Sequence, residues 1–190
     1  GFPDPIIPED NQLTYERIEL GKRLFYDPIL SKDGTISCES CHKQEFAFAD
    51  NVTISAGVEG RLGFRNSMSL ANMAYQDALM REGGVPTLEM QVLVPIQDHN
   101  EMDFNILSVA EKLNLDSTYV NASIEAYNRI PDAFVITRAL ASFQRSMISG
   151  DSDYDRNLLN EKEENGKELF FSDKLACSSC HGTFLFTNQT

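Results

Sequence analysis

A mainly α-helical chain built as two related units is what the sequence predicts, and three observations predict it. One leader pattern occurs twice, as LTYERIELGKRLFYDPILSKDGTISCESCH at 13–42 and LLNEKEENGKELFFSDKLACSSCH at 158–181. Apolar residues elsewhere recur at helical spacing, and only NVTIS (51–55) hints at a strand. The motif GK-x-LF falls at Gly21, Lys22, Leu24 and Phe25 and again at Gly166, Lys167, Leu169 and Phe170, so one ancestral plan is used twice. The expected domains are 1–150 and 151–190, with SGDSDYDRN (149–157) leading into the second.

The elements follow in order. GFPDPIIPED is a proline-rich lead-in, ordered to loose. Each leader reads as a short helix whose Leu-Phe edge faces a core or a cofactor, and in the first copy Asp27-Pro28 supplies the stop. Residues 46–66, rich in Gly and turn formers, read as a long loop. Segments 67–80 and 86–94 each predict a short helix, with MREGGVP as the break between them. FNILSVAEKLNL places Ile106, Val109, Ala110 and Leu113 on one helical face. FVITRALASFQRSMIS is a stronger helix, with Leu140, Phe143 and Met147 at helical spacing. Nine residues follow His181, so the second domain is expected to be truncated here.

All four cysteines lie in CESCH (38–42) and CSSCH (177–181), and two of the three histidines follow them directly. C-x-x-C-H is the pattern of c-type haem attachment. Two thiols on one turn reach the two vinyl groups as thioethers, and the next residue sets its imidazole under the iron. The expectation is two covalent haems, on Cys38, Cys41 and His42 and on Cys177, Cys180 and His181. A zinc site made from the four thiols is the alternative, and a disulfide pair a further one; both leave the adjacent histidines unexplained. Covalent haem also implies assembly outside the cytoplasm, hence a periplasmic or equivalent setting.

The formal charge of −13 argues against a nucleic-acid partner, whose phosphates it would repel, and suits a positively faced protein. No apolar run approaches the ~18 residues that a membrane-spanning helix needs. No basic segment followed by an apolar one marks a signal peptide, so an exported protein would be in its processed form here.

With these residues in hand, the chain resembles the bacterial dihaem cytochrome c peroxidase family, which includes the MauG-like enzymes. The resemblance runs from about Glu19 to Phe186. It rests on GKRLFYDPILSKDGTISCESCH, the F-x-D of Phe48 and Asp50, SAGVEGRLGFRNSMSLANMAY, LEMQVLVPIQDHNEM, ALASFQRSMISGDSDYDR and the second leader. It implies two cytochrome-c-like domains, an N-terminal peroxidatic haem fed by a C-terminal electron-transfer haem, and calcium at their interface. It also implies reduction of hydrogen peroxide to water with electrons from a small cytochrome or cupredoxin. A homodimer is a further expectation. His42 and His181 then correspond to proximal ligands, Gln91 and Glu101 to polar residues over the peroxidatic iron, and Asn66 to a calcium-binding asparagine.

Three departures from that pattern matter. Val58 stands where the family's loop carries an iron-capping histidine, and valine cannot ligate. Arg81 is nearest the tryptophan placed between the haems, and this chain has no Trp. No methionine follows the second motif. Val58 leaves two alternatives: a five-coordinate iron, or another group at the sixth position, with His99 and, more weakly, Tyr75 as candidates. The bland reading of His99 is a loop residue near the pocket or on the surface. Peroxide cleavage needs a group that moves a proton from the near oxygen to the far one, which is the role expected of Glu101, with Gln91 orienting peroxide. The bland alternatives are a packing amide for Gln91 and a surface acid or cap for Glu101. Besides the peroxidase, the competing functions are an electron-transfer dihaem cytochrome and a MauG-like oxidase of another substrate.

Overall fold

Thr14 begins the first helix, α1 (Tyr15–Tyr26): its hydroxyl accepts from the Arg17 N–H at 3.3 Å. The helix stops at Asp27, whose carboxylate turns to cap the Ile29 N–H of the short turn Pro28–Leu30. Asp132 opens α6 in the same way, accepting from the Val135 N–H, and α6 runs Ala133–Ser146. Leu20, Leu24 and Phe25 of α1 share one core with Ile136, Leu140 and Phe143 of α6. The Phe25 and Phe143 rings meet edge to face, 5.2 Å apart.

This computed structural model describes residues 2–182 and 184–187. Among them the chain is mainly helical with no β-sheet, only isolated bridges such as Lys43 to Ala49. Two compact units form, one of Ile6–Ile148 and one of Gly1–Pro5 with Ser149–Thr190. In the first, α2 (Leu88–Gln91), α3 (Leu93–Gln97), α4 (Ile106–Asn114) and α5 (Ser117–Tyr127) lie between α1 and α6 in sequence. Pro95 has no N–H to give the Gln91 carbonyl, which is why α2 and α3 register as two pieces.

Gly21 explains why GK-x-LF begins with glycine. A Cβ there would lie 1.9 Å from the Ala139 carbonyl oxygen, so the two main helices touch backbone to backbone at that point. At its counterpart Gly166 a Cβ would meet nothing within 4 Å. In this chain Gly21→Ala is therefore expected to cost about 1–3 kcal/mol or more by forcing α1 off α6. Gly166→Ala is expected to be neutral or to gain up to about 1 kcal/mol through helix propensity. Urea unfolding of both variants checks the contrast.

The structure corrects several expectations. NVTIS forms bends, because Asp50 and Ser55 satisfy local groups and no partner strand lies alongside. Segment 67–80 contains one helical turn, Met73–Tyr75, instead of a helix. Asn72 and Met80 are left-handed there, and Ser69 spends its hydroxyl on the Ala47 carbonyl. Helix α5 was not foreseen: its buried residues include Ser123 and Ala126, which carry no hydrophobic signal. Asn11, directly after the proline-rich lead-in, is fully buried. Its amide donates to Glu89 at 2.9 Å and to the Arg138 carbonyl at 3.0 Å. Its oxygen accepts from Tyr127 and Ser142. Glu89 in turn forms a two-pronged pair with Arg145, at 2.5 and 2.9 Å, that ties α2 to α6.

In the second unit α7 (Glu161–Phe171) starts with a reciprocal cap between Asn160 and Glu163 and carries three acids in its first turn. None of its described residues is fully buried. Phe170, Phe171, Tyr154 and Phe186 form an aromatic cluster beside it. Of the nine residues after His181, Thr183 and 188–190 lie outside the described residues.

Candidate functional site

The two cysteine motifs fold alike. Cys38–Ser40 and Cys177–Ser179 are single 3-10 turns. In each, the second cysteine N–H and the histidine N–H both donate to the first cysteine's carbonyl, at 3.2 and 2.9 Å. In the first copy Ser37 and Ser40 brace the turn from both ends. All four cysteines are free thiols in this structure. Among the described residues no group of three or more His, Cys, Asp or Glu side chains is arranged to hold a metal ion.

His42 Nδ1 lies 2.8 Å from the Phe48 carbonyl. A carbonyl only accepts, so Nδ1 carries the proton and Nε2 is the basic nitrogen. Burial lowers the His42 pKa, against the Phe48 and Met68 carbonyls and the Asp50 charge, and so favours a neutral ring. His181 Nδ1 meets the Phe186 carbonyl in the same way at 3.1 Å. Burial pushes the Cys38 thiol up to about 12, helped by the Cys41 and Glu101 charges, and raises Cys41 also. Two free thiols on one turn with a neutral imidazole beside them are the donors that a c-type haem takes. Either motif fits it.

The loop after α3 brings Glu101 to the first motif. The Asp98 carbonyl accepts from the Glu101 and Asp103 N–H groups, and its carboxylate caps Asn100 at 2.7 Å. The Glu101 carbonyl accepts from Val58 at 2.8 Å. Gly57 makes this approach possible, since a Cβ there would sit 2.1 Å from the Asn100 carbonyl oxygen. Asp103 anchors the loop through Lys32, Arg61 and His99; the Lys32 hydrogen bond does most to pull its pKa down to about 2. Glu101 is an exposed residue taken as a whole, and its pKa is nevertheless raised, by partial burial of its carboxyl first and then by the Asp98 charge.

The other predicted residues are placed as follows. Gln91 ends α2, half-buried; its Nε2 lies 4.0 Å from the Met80 sulfur, and its buried Oε1 has no partner. Val58 is 1% exposed. His99 is a surface residue, its side chain 68% exposed and 3.4 Å from Asp103, so it is not presented to the first motif as a ligand. Tyr75 is half-buried in the Met73–Tyr75 turn, and Arg81 is exposed. Asn66 is exposed and donates to the Val52 carbonyl at 2.7 Å. Sequence reasoning missed the roles of the Phe48 carbonyl, of the Lys43–Asp50 pair at 2.8 Å, and of Glu89 with Arg145. The F-x-D pattern was the visible signal for the first two.

Helical fold and doubled thiol–imidazole turn define a c-type haem protein. The chain belongs to the di-haem cytochrome c peroxidase family, whose model matches residues 15–165. It is 34% identical to the methylamine utilization protein MauG of Methylophilus methylotrophus, over 99% of this chain and 59% of that protein. It is 33% identical to the cytochrome-c peroxidase IdrP1 of a Pseudomonas species, over 99% of this chain and 52% of that one. A crystal structure of a MauG-like protein associated with microbial copper homeostasis superposes with a TM-score of 0.93 at 35% identity, covering 99% of this chain and 58% of that one. The chain thus spans between 52% and 59% of the length of the first curated relatives it matches. Family membership carries the cofactor with it, a pair of c-type haems.

Proposed function

We propose that this chain is the part of a dihaem peroxidase that carries the peroxide site, reducing hydrogen peroxide to water with two electrons and two protons. The observation that carries the reading is Glu101: an acid of raised pKa whose charge acts on both thiols of the first motif. Cys38, Cys41 and His42 would hold one haem, and Cys177, Cys180 and His181 the other. Haem bound at the first motif supplies the iron at which the O–O bond is cleaved. Glu101 takes the proton from the near oxygen and returns it to the far one, so that water leaves instead of hydroxide. The Gln91 side chain orients peroxide through its amide. Val58 offers no ligating atom, so no side chain at that position need swing aside before peroxide enters.

On this reading 1–150 is the peroxidatic domain, and 151–190 belongs to the electron-transfer domain. The donor is a small cytochrome or cupredoxin, whose positive face suits the charge of −13. Asn66 contributes an oxygen to a calcium site, the setting is periplasmic, and a homodimer completes the reading. No described helix is long and apolar enough to cross a membrane. The likeness to proteins named MauG favours one second reading, a MauG-like oxidation of another substrate.

The test is the resting optical and EPR spectrum of the haem-loaded protein, followed by peroxide. A high-spin first haem that reacts without prior reduction, with steady peroxide consumption on adding a reduced donor, is expected. Two low-spin haems inert to peroxide in both redox states would overturn the proposal in favour of electron transfer alone.

A further inference from the structure

The repeat does not end at the histidines. Phe48, six residues after His42, and Phe186, five after His181, are both left-handed, with φ of 59° and 54°. That conformation is rare for a bulky side chain. Each phenylalanine presents its carbonyl to Nδ1 of its own histidine. Each also sets its ring edge to face against the phenylalanine of GK-x-LF in its own unit, Phe25–Phe48 at 6.1 Å and Phe170–Phe186 at 5.5 Å. The loops differ in length and sequence, HKQEFAF against HGTFLF, so sequence spacing alone does not align them. The same backbone conformation, acceptor and ring contact nevertheless recur.

We propose that Phe48 and Phe186 are a matched pair of positioning residues, one for each haem-attachment motif, each held left-handed by a helix phenylalanine so that its carbonyl orients and polarises the axial imidazole. This also assigns Phe25 and Phe170 a purpose beyond filling a core. An N–H···O=C bond at Nδ1 fixes the tautomer and makes Nε2 a stronger donor, which favours ferric iron. In the first unit the turn is clipped further. Lys43 N–H donates to the Ala49 carbonyl, Phe48 N–H to the Lys43 carbonyl, and the Lys43 ammonium pairs with Asp50. After His181 the corresponding residue is Gly182, which has no side chain for such a pair.

The inference rests on the haem attachment proposed above, so covalent haem is counted first, by pyridine haemochrome. Midpoint potentials of both haems are then read by spectroelectrochemistry in variants that load haem fully. Phe48→Val and Phe48→Asn both remove the ring, but asparagine is at home in the left-handed region and a β-branched residue is not. The expected result is that Phe48→Val raises the potential of one haem while Phe48→Asn stays much closer to the unsubstituted protein. Phe186→Val and Phe186→Asn should repeat the contrast at the other haem. Should Phe48→Val fail to load, Phe25→Leu leaves residue 48 intact, removes the ring contact and should raise the same potential. Equal shifts for valine and asparagine, or none in any variant, would overturn the pairing while leaving haem attachment standing. A wild-type protein without covalent haem would overturn both.

Discussion

Glu101→Gln is expected to lower the second-order rate of peroxide reduction by roughly two to four orders of magnitude, the range that a positioned proton-transfer group contributes. Glutamine keeps the shape and a hydrogen-bonding oxygen but cannot accept and return a proton, so haem content and midpoint potentials should not change with the rate. The pH profile carries the same information. The working form is the carboxylate, and burial followed by the Asp98 charge raises the Glu101 pKa. Activity is therefore present above that raised value and lost as pH falls through it, at a higher pH than an ordinary glutamate near ~4.3 would give. Asp98→Asn keeps an oxygen to cap Asn100 and removes the like charge, so its acid limb should move to lower pH. Stopped-flow mixing with peroxide across pH measures both effects. An undiminished Glu101→Gln rate would remove this residue from the proton path.

The largest stability effect is expected at Arg145. Its guanidinium is only 6% exposed and grips Glu89, 14% exposed, with both prongs. Removing one partner of such a buried pair typically costs about 3–5 kcal/mol, because the other charge is left without compensation. Arg145→Met should lose that much by urea unfolding, whereas Arg145→Met with Glu89→Leu should recover much of it. Burial by itself would raise the Glu89 pKa, but the Arg145 pair and the Asn11 amide outweigh it and hold it below the usual value. A depressed acid stabilises the fold above its unfolded pKa of ~4.3 and loses that contribution as pH falls through the folded value. Arg145→Met should reverse the slope, since an unpartnered buried Glu89 gains from protonation. Because α2 bears both Glu89 and Gln91, peroxide turnover should fall alongside stability. A variant as stable as the parent would show that the pair is not what fastens α2.

Where local chemistry was strong, the sequence was legible. Thr14, Asp132 and Asn160 each stand one residue before a helix and cap it, so α1, α6 and α7 follow from capping and periodicity. The C-x-x-C-H spacing dictates its own turn, since the two hydrogen bonds to the first cysteine's carbonyl close within five residues. Legibility failed where burial was made by polar or small groups. Asn11 looks like a loop residue until Glu89, Arg138, Tyr127 and Ser142 surround it, and Ser123 reads as a break in α5 although its hydroxyl meets the Arg129 carbonyl at 2.7 Å. Segment 67–80 failed for the opposite reason: its apolar residues promised a helix, but Leu70 and Leu79 are buried separately, from a chain that turns left-handed at Asn72 and Met80.

The candidate site divides along the same line. By itself the sequence determined the paired thiols, the histidine beside each pair and the absence of a ligating side chain at residue 58, because these depend on residue type and on spacing within one turn. Only the tertiary structure decided that Glu101 lies near enough to the first motif for its charge to help raise the Cys38 and Cys41 pKa values, while His99, two residues earlier, stays on the surface with Asp103. That outcome depends on the backbone contact of Gly57 and Val58 with residues 100 and 101, more than forty residues away in sequence. Only the tertiary structure, too, showed one carbonyl and one aromatic pair supporting each imidazole. The chain there bends through a rare conformation that nothing but the packing around it selects.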